Sequence, residues 1–308
     1  MSRAAVVVNP TKHSDLPKLR TEIGQAMSDQ GWDEPLWLET TVDDPGEGQA
    51  REAAAAGVDL VAASGGDGTI TACAAGLAGS GIPLAVLPAG TGNLLARNLG
   101  LPLELGDALV VGLTGADREL DVGTANGRPF LVMAGVGLDA KMLDSTSEQL
   151  KKRLGWAAYA VSALRHLRDR PVRARLRADG GPPLRRRASG IIVGNVGALQ
   201  GGMPLLPDAE PDDGQLDLLV LTARGWTSWL AVAAHVLLRR SAPGHMVRRT
   251  FRELRIDLDR PQLWQVDGEV MGRTRQLVVA VEPGKLMLRV PRAARMARAA
   301  EGSASQAP

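Results

Sequence analysis

Along the first 120 residues, short apolar runs alternate with longer stretches whose apolar positions recur at helical spacing. The pattern predicts strands at 6–8, 36–39, 58–63, 84–87 and 119–122, and helices at 16–28, 48–56, 70–77 and 103–113. Strands that alternate with helices in this way imply a parallel sheet covered on both faces. Ligands of such sheets bind beyond the carboxyl ends of the strands. The glycine-rich breaks at 64–68 and 88–92 both follow strands, so both should face that crevice.

After about residue 123 the pattern changes. Strand-like runs at 130–133, 172–176, 191–193, 216–221, 254–258, 263–266, 277–281 and 286–290 are separated by turns rich in Gly, Pro and Asp. Helices are expected only near 157–167 and 226–239. The second half therefore reads as a mainly antiparallel β domain. The expected division is 1–123 for the α/β domain, 124–292 for the β-rich domain, and 293–308 for a partly disordered tail.

Composition refines this picture. Hydrophobic residues make up 44% of the chain but aromatics only 3%, so the cores must be built from Ala, Val, Leu and Ile. A net charge of +2 gives no footing for a nucleic-acid partner. Cys73 is the sole cysteine, which excludes an internal disulfide and reads as a small core residue. His13, His166, His235 and His245 lack ligand spacing. The opening apolar run is too short for a signal peptide, and no run approaches the 20 or so residues of a spanning helix. A cytoplasmic protein with at most peripheral membrane contact is expected.

Two loops carry candidate chemistry. Ser64-Gly65-Gly66-Asp67-Gly68-Thr69 lies between a buried strand and a helix. Its glycines permit close backbone approach, and the helix start offers free N–H groups to phosphate. A carboxylate at Asp67 repels phosphate unless a metal ion intervenes, and Mg²⁺-ATP resolves that conflict. The plain alternative makes Asp67 a helix N-cap. Pro88-Ala89-Gly90-Thr91-Gly92-Asn93 follows the next strand with similar ingredients, and two such loops could clamp one polyphosphate. Neither fits the dinucleotide fingerprint or the Walker lysine pattern.

At these residues the chain resembles the diacylglycerol kinase catalytic-domain family, which includes bacterial lipid kinases and sphingosine kinases. The motifs that carry the resemblance occur in order: Val7-Val8-Asn9-Pro10, the 64–69 loop, Leu87 to Asn93 with Arg97-Asn98-Leu99-Gly100, Leu120-Asp121-Val122-Gly123, Gly135 to Asp139, and Asp267-Gly268-Glu269. The resemblance implies an N-terminal parallel α/β domain of NAD kinase/phosphofructokinase type and a C-terminal antiparallel β-sandwich. It implies that Asn9, Pro10, Thr40, Gly65, Gly66, Asp67, Gly68, Thr69, Gly90, Thr91 and Asn93 bind ATP. By the same resemblance Asp67 and Asp121 organise a catalytic Mg²⁺, and Glu269 is the general base for a lipid hydroxyl. Glu210, Asp213 and Gln215 match a structural Mg²⁺ loop, with Asp213 giving a carboxylate and the others mainly carbonyls. Asp267-Gly268 also reads as a plain hairpin turn, and Asp212-Asp213-Gly214 as an ordinary turn. Leu94 departs from the aspartate common in bacterial diacylglycerol kinases of this family, which leaves sphingoid and other lipid alcohols open as substrates.

Membrane contact has its own candidate residues. Nine arginines against two aspartates lie between Arg165 and Arg187. They read either as a solvated face or as a contact for an anionic bilayer. Trp226, Trp229 and Leu230, followed by Val236 to Arg240, read either as an interfacial helix or as a core helix. The expected partners are a lipid substrate and an anionic membrane, not nucleic acid, and a homodimer is left open. The alternatives are an NAD kinase-like enzyme and a non-catalytic lipid-binding protein on the same fold.

Overall fold

A computed structural model of the chain describes residues 2–137, 171–199, 203–222 and 246–292. The chain forms two units: one holds the residues up to Leu120 together with those from Gly284 onward, and the other is Asp121–Pro283.

In the first unit, β1 (Ala4–Val8), β2 (Leu36–Glu39), β3 (Leu60–Gly65) and β4 (Leu84–Pro88) are parallel, in the order β2-β1-β3-β4. Every residue of β1 and β3 is buried, which explains their unbroken apolar runs: a parallel strand is covered on both faces. On one face, α1 (Leu16–Asp29) and α5 (Leu105–Thr114) press Leu19, Ile23, Met27, Leu109 and Leu113 onto Val6, Val8, Leu60, Ala62 and Leu87. Asp15 caps α1 by accepting from the Lys18 N–H at 2.9 Å.

Helices α2 (Glu47–Ala55) and α3 (Asp67–Leu77) pack against each other at very short range. A Cβ on Gly76 would lie 2.5 Å from the Glu47 carbonyl oxygen and 2.8 Å from the Ala50 methyl. That closeness accounts for the small-residue run Thr71-Ala72-Cys73-Ala74-Ala75-Gly76. Cys73 is fully buried, and burial, followed by the nearby Asp44, pushes its thiol up to about 12. It is the inert core residue expected. A short helix, α4 (Leu94–Asn98), follows the second glycine loop and has no counterpart in the predicted elements.

The second unit begins within β5 (Ala116–Ala125). It continues with β6 (Arg128–Phe130), β7 (Met133–Gly137), β8 (Val172–Ala178), β9 (Leu184–Ala188), β10 (Gly190–Gly194), β11 (Ala198–Leu199), β12 (Met203–Pro204), β13 (Leu216–Leu221), β14 (Met246–Phe251), β15 (Glu253–Val266) and β16 (Glu269–Val290). The antiparallel order is β14-β13-β10-β7-β15-β16. The first half of β15 pairs with β8 and its second half with β7, with register shifts between Asp257 and Gln262 and between Trp264 and Gln265. Bulged and bent in this way, one strand serves both layers of a β-sandwich. Phe130, Val136, Val172, Leu176, Ile191, Leu218, Phe251, Ile256 and Leu277 fill the core between them.

Several expectations need correction. The run at 130–133 is not one strand, because the Asp267 carboxylate draws the N–H groups of Leu131, Val132 and Met133 out of the ladder. The runs at 254–258 and 263–266 are a single bulged strand, and those at 277–281 and 286–290 lie in the single long β16. At its end β16 joins the first unit, where Leu288 pairs in parallel with Leu84. Strands β9 and β14 were not anticipated, since Leu-Arg-Arg-Arg-Ala and Met-Val-Arg-Arg-Thr-Phe carry too little apolar signal. The helices expected at 157–167 and 226–239 and the tail from 293 lie outside the described residues. Among the described residues no helix is long and apolar enough to cross a membrane.

Two glycines should respond oppositely to a methyl group or more. Gly76→Val is expected to destabilise the chain by about 1–3 kcal/mol through overpacking. Gly24→Ala, in the middle of α1 with nothing within 4 Å of the new Cβ, should stabilise it by about 0.5–1 kcal/mol. Thermal denaturation of the two variants checks both signs.

Candidate functional site

In the first unit the chemistry gathers at the carboxyl ends of β1, β3 and β4. Asn9 leaves β1 with its N–H bonded to the Ser64 carbonyl at 2.9 Å. Its side-chain oxygen accepts from the Thr11 N–H and hydroxyl, and its amide nitrogen donates to the Thr69 hydroxyl at 3.2 Å. Pro10 opens a one-turn 3-10 helix at a position where no N–H is needed. Thr40, buried at the end of β2, donates its N–H to the Val8 carbonyl.

The first glycine loop is shaped by close contacts. A Cβ on Gly65 would lie 2.6–2.7 Å from the side-chain atoms of Thr69, so only glycine lets that threonine fold back on the strand end. Gly66, not Asp67, is the N-cap residue of α3. Asp67 is the first helical residue, and its Oδ1 accepts from the Leu94 N–H at 2.5 Å. Burial raises the Asp67 carboxyl above its ordinary value, although backbone N–H groups, Leu94 foremost, pull the other way. A carboxylate with that balance suits a site that receives a cation.

The second loop meets the first backbone to backbone. A Cβ on Gly90 would lie 2.8 Å from the Gly66 Cα, and the Ala89 N–H donates to the Gly65 carbonyl at 2.8 Å. Asn93, in the left-handed region at φ 47°, closes the loop on itself: it accepts from the Gly90 N–H and donates to the Gly90 carbonyl, both at 3.0 Å. Arg97 donates to the Gly92 carbonyl at 2.9 Å. Thr91 and Gly68 are exposed at this edge. Leu94 is buried, so it is its N–H, and not its side chain, that engages Asp67.

His13 was not singled out by its sequence surroundings. Its Nε2 lies 3.1 Å from the Ser64 hydroxyl, and burial lowers its pKa despite Ser64. No sequence spacing could have found it, because 51 residues separate the pair.

In the second unit, Asp121 is buried and braced against the acidic loop. Its N–H donates to the Pro211 carbonyl and its Oδ2 accepts from the Gly214 N–H, both at 2.7 Å. Asp213 accepts from the Gln215 N–H at 2.8 Å. Burial raises Asp213, and Asp121, Glu210 and Asp212 add to that against the Gln215 bond. Among the described residues no three His, Cys, Asp or Glu side chains converge as a metal cluster. Asp67 lies in one unit and Asp121 in the other.

Asp267 and Gly268 do form the turn between β15 and β16, at φ 45° and 89°. Asp267 does more than turn the chain: its carboxylate accepts from three successive N–H groups at 2.8–2.9 Å. The sequence suggested the turn but not this anchor. Glu269, immediately after it, is exposed.

Residues 3–125 match the model of the diacylglycerol kinase catalytic domain, and residues 132–290 that of the YegS C-terminal NAD kinase beta sandwich-like domain. A YegS-like probable lipid kinase of Pseudomonas aeruginosa (strain UCBPP-PA14) is 40% identical over 183 residues, 57% of this chain. The match spans 60% of that relative's length. A diacylglycerol kinase of Bacillus subtilis (strain 168) is 28% identical over 278 residues, covering 88% of this chain and 91% of the relative. The crystal structure of a candidate diacylglycerol kinase from Bacillus anthracis superposes with a TM-score of 0.78 at 26% identity, over 95% of this chain and 96% of that one.

Beside the acidic loop, burial and then the Asp213 and Asp208 carboxylates push Asp217 from 3.8 up to about 6, against the pull of Arg248. A carboxyl raised on folding binds more protons in the folded state between those values, so its contribution to stability is lost as pH rises from about 4 through about 6. Asp217→Asn should therefore match the parent near pH 4 and exceed its stability by about 1–3 kcal/mol at pH 7. Denaturant unfolding at the two pH values reads the difference.

Proposed function

The chain belongs to the diacylglycerol kinase catalytic-domain family, with a YegS-type C-terminal domain, and from that membership we propose that it is an ATP-dependent lipid kinase working at a membrane surface. The observation that carries the reading is the contact of Gly66 with Gly90, which sets two backbone-lined loops side by side with Asp67 between them. Glycine-rich backbone at a helix start is suited to phosphate, and a pair of such loops to a polyphosphate.

In this proposal Asn9, Pro10, Thr40, Gly65 to Thr69, Gly90, Thr91 and Asn93 hold the nucleotide. Bound Mg²⁺ would neutralise phosphate charge and allow the Asp67 carboxylate to stand beside it. Asp213, with the carbonyls of Glu210 and Gln215, would hold a second, structural Mg²⁺. The crowding of Asp213 by three other carboxylates fits a cation there, and Asp121 braces that loop. Glu269 takes the proton of the lipid hydroxyl as that oxygen bonds to the γ-phosphorus. The bond from phosphorus to the β,γ-bridging oxygen breaks, and ADP leaves with the electron pair.

Labelled γ-phosphate from Mg²⁺-ATP should appear on one lipid of a mixed-micelle panel of diacylglycerol, monoacylglycerol, sphingosine and ceramide, with NAD as a soluble competitor. Glu269→Gln should lower kcat by about 100-fold or more while leaving the KM for ATP nearly unchanged. Asp67→Ala should abolish transfer. Label on NAD alone, or full activity in Glu269→Gln, overturns the proposal.

A further inference from the structure

Strands β8 and β9 form a ribbon on the outer face of the second unit. Arg173, Arg175 and Arg177 occupy alternate positions of β8 and are exposed, while Val172, Ala174 and Leu176 between them are buried in the core. In the β8–β9 register Arg173 faces Arg187, and Arg175 faces Arg185. Residues directly opposite share a face, so five arginines stand together on one side of a two-stranded ribbon. Neighbouring strands are about 4.8 Å apart and alternate residues about 6.8 Å apart, which makes the array dense.

Such an array is unfavourable on its own, since like charges directly opposite destabilise a strand pair. Among the described residues, no ion pair engages any of the five. Asp257, opposite Arg175, bonds Arg255 at 3.2 Å and Gln276 at 2.9 Å, and Arg175 adds a weaker pull that lowers its carboxyl. Protection of the edge strand accounts for Arg186, whose side chain stays exposed although its partner in register, Ala174, is buried. It does not account for the other five, which already point outward.

We propose that this face docks on an anionic lipid bilayer. It deepens the lipid-kinase reading, on which the choice of a bilayer as partner rests. A flat sheet face spreads its charges in two dimensions, as a headgroup layer does. The ribbon from Val172 to Ala188 has no aromatic side chain on which a nucleic-acid base could stack. One row further across, Arg255 is opposite Val278, which is 46% exposed and offers an apolar contact on the same face.

The test is co-sedimentation of the full chain with vesicles of phosphatidylcholine alone or with about one third phosphatidylglycerol. Binding should require the anionic lipid and weaken as salt rises from about 0.1 to about 0.5 M. Each neutralised arginine should lower partition by up to about fivefold. The set Arg173→Gln, Arg175→Gln, Arg185→Gln and Arg187→Gln should therefore lose at least tenfold. The set Arg3→Gln, Lys18→Gln, Arg51→Gln and Arg128→Gln, equal in charge change, should lose little, and the four ladder positions changed to Lys should retain binding. Because repulsion is removed, the ladder Gln set should melt no lower than the parent. Equal binding to neutral vesicles, equal loss in the two Gln sets, a lowered melting temperature in the ladder set, or preference for a polynucleotide over the vesicles overturns the proposal. Phosphorylation of whichever panel lipid takes the label, presented in neutral micelles, should be unchanged by the ladder set. Absence of label on every lipid of that panel in the parent overturns the kinase reading and leaves vesicle binding to be judged alone.

Discussion

The close approach of two backbones, Gly66 against Gly90, is the constraint from which the first unit follows. It requires β3 and β4 to be adjacent and in step, which their parallel register from Val61/Leu84 to Gly65/Pro88 provides. It requires a helix to start immediately after the first loop, and α3 does so at Asp67. It also requires the second loop to hold its shape without a strand or helix of its own. Asn93 and Arg97 supply that by bonding the Gly90 and Gly92 backbone groups. The Asp67 bond to the Leu94 N–H then ties the start of α3 to the start of α4. A side chain at Gly90 would force the loops apart, since its Cβ would lie 2.8 Å from the Gly66 Cα.

A related economy governs the second unit, where carboxylates pin irregular backbone. Asp267 gathers three N–H groups between β6 and β7, Asp121 holds the Gly214 N–H, and Asp179 accepts from the N–H groups of Arg252 and Glu253. Charged acceptors form stronger bonds than neutral ones, so each can hold a segment that no ladder covers. This gives two of the family's acidic motifs a double reading. Asp121 and Asp267 are structural by their hydrogen bonds, and each neighbours a residue or loop with a proposed chemical role. A residue that organises backbone beside a site is under the same demand for its type as one that touches substrate.

The arginine-rich stretch shows how tertiary structure changes the meaning of charge. As a run in sequence, nine arginines are compatible with any solvated segment. Once folded back at the turn containing Asp179 and Gly180, both at positive φ, four of them become opposed pairs on one face, Arg173 with Arg187 and Arg175 with Arg185. Alternation places one side of the ribbon on the core, where Val172 and Leu176 are buried, and leaves the charges no alternative to the outside.

By itself the sequence determined what depends on local pattern. Strands β1, β3 and β4 were legible because burial on both faces leaves continuous apolar runs, β2 and the helices through their place in the alternation, and the two loops because glycine marks the backbone positions that need it. The β-rich character of the second half was legible for the same reason, in its alternation and its turns. What tertiary structure alone decided depends on partners distant in sequence. The break at 131–132 comes from a carboxylate some 135 residues away, and His13 meets Ser64 across 51. The end of β16 returns to the first unit, although its residues read like the rest of the β domain. Strand β9 is held by its neighbour β8 and not by apolar content, so no hydrophobic period could reveal it. Local pattern fixes what a segment can be, and long-range hydrogen bonds and register decide what it becomes.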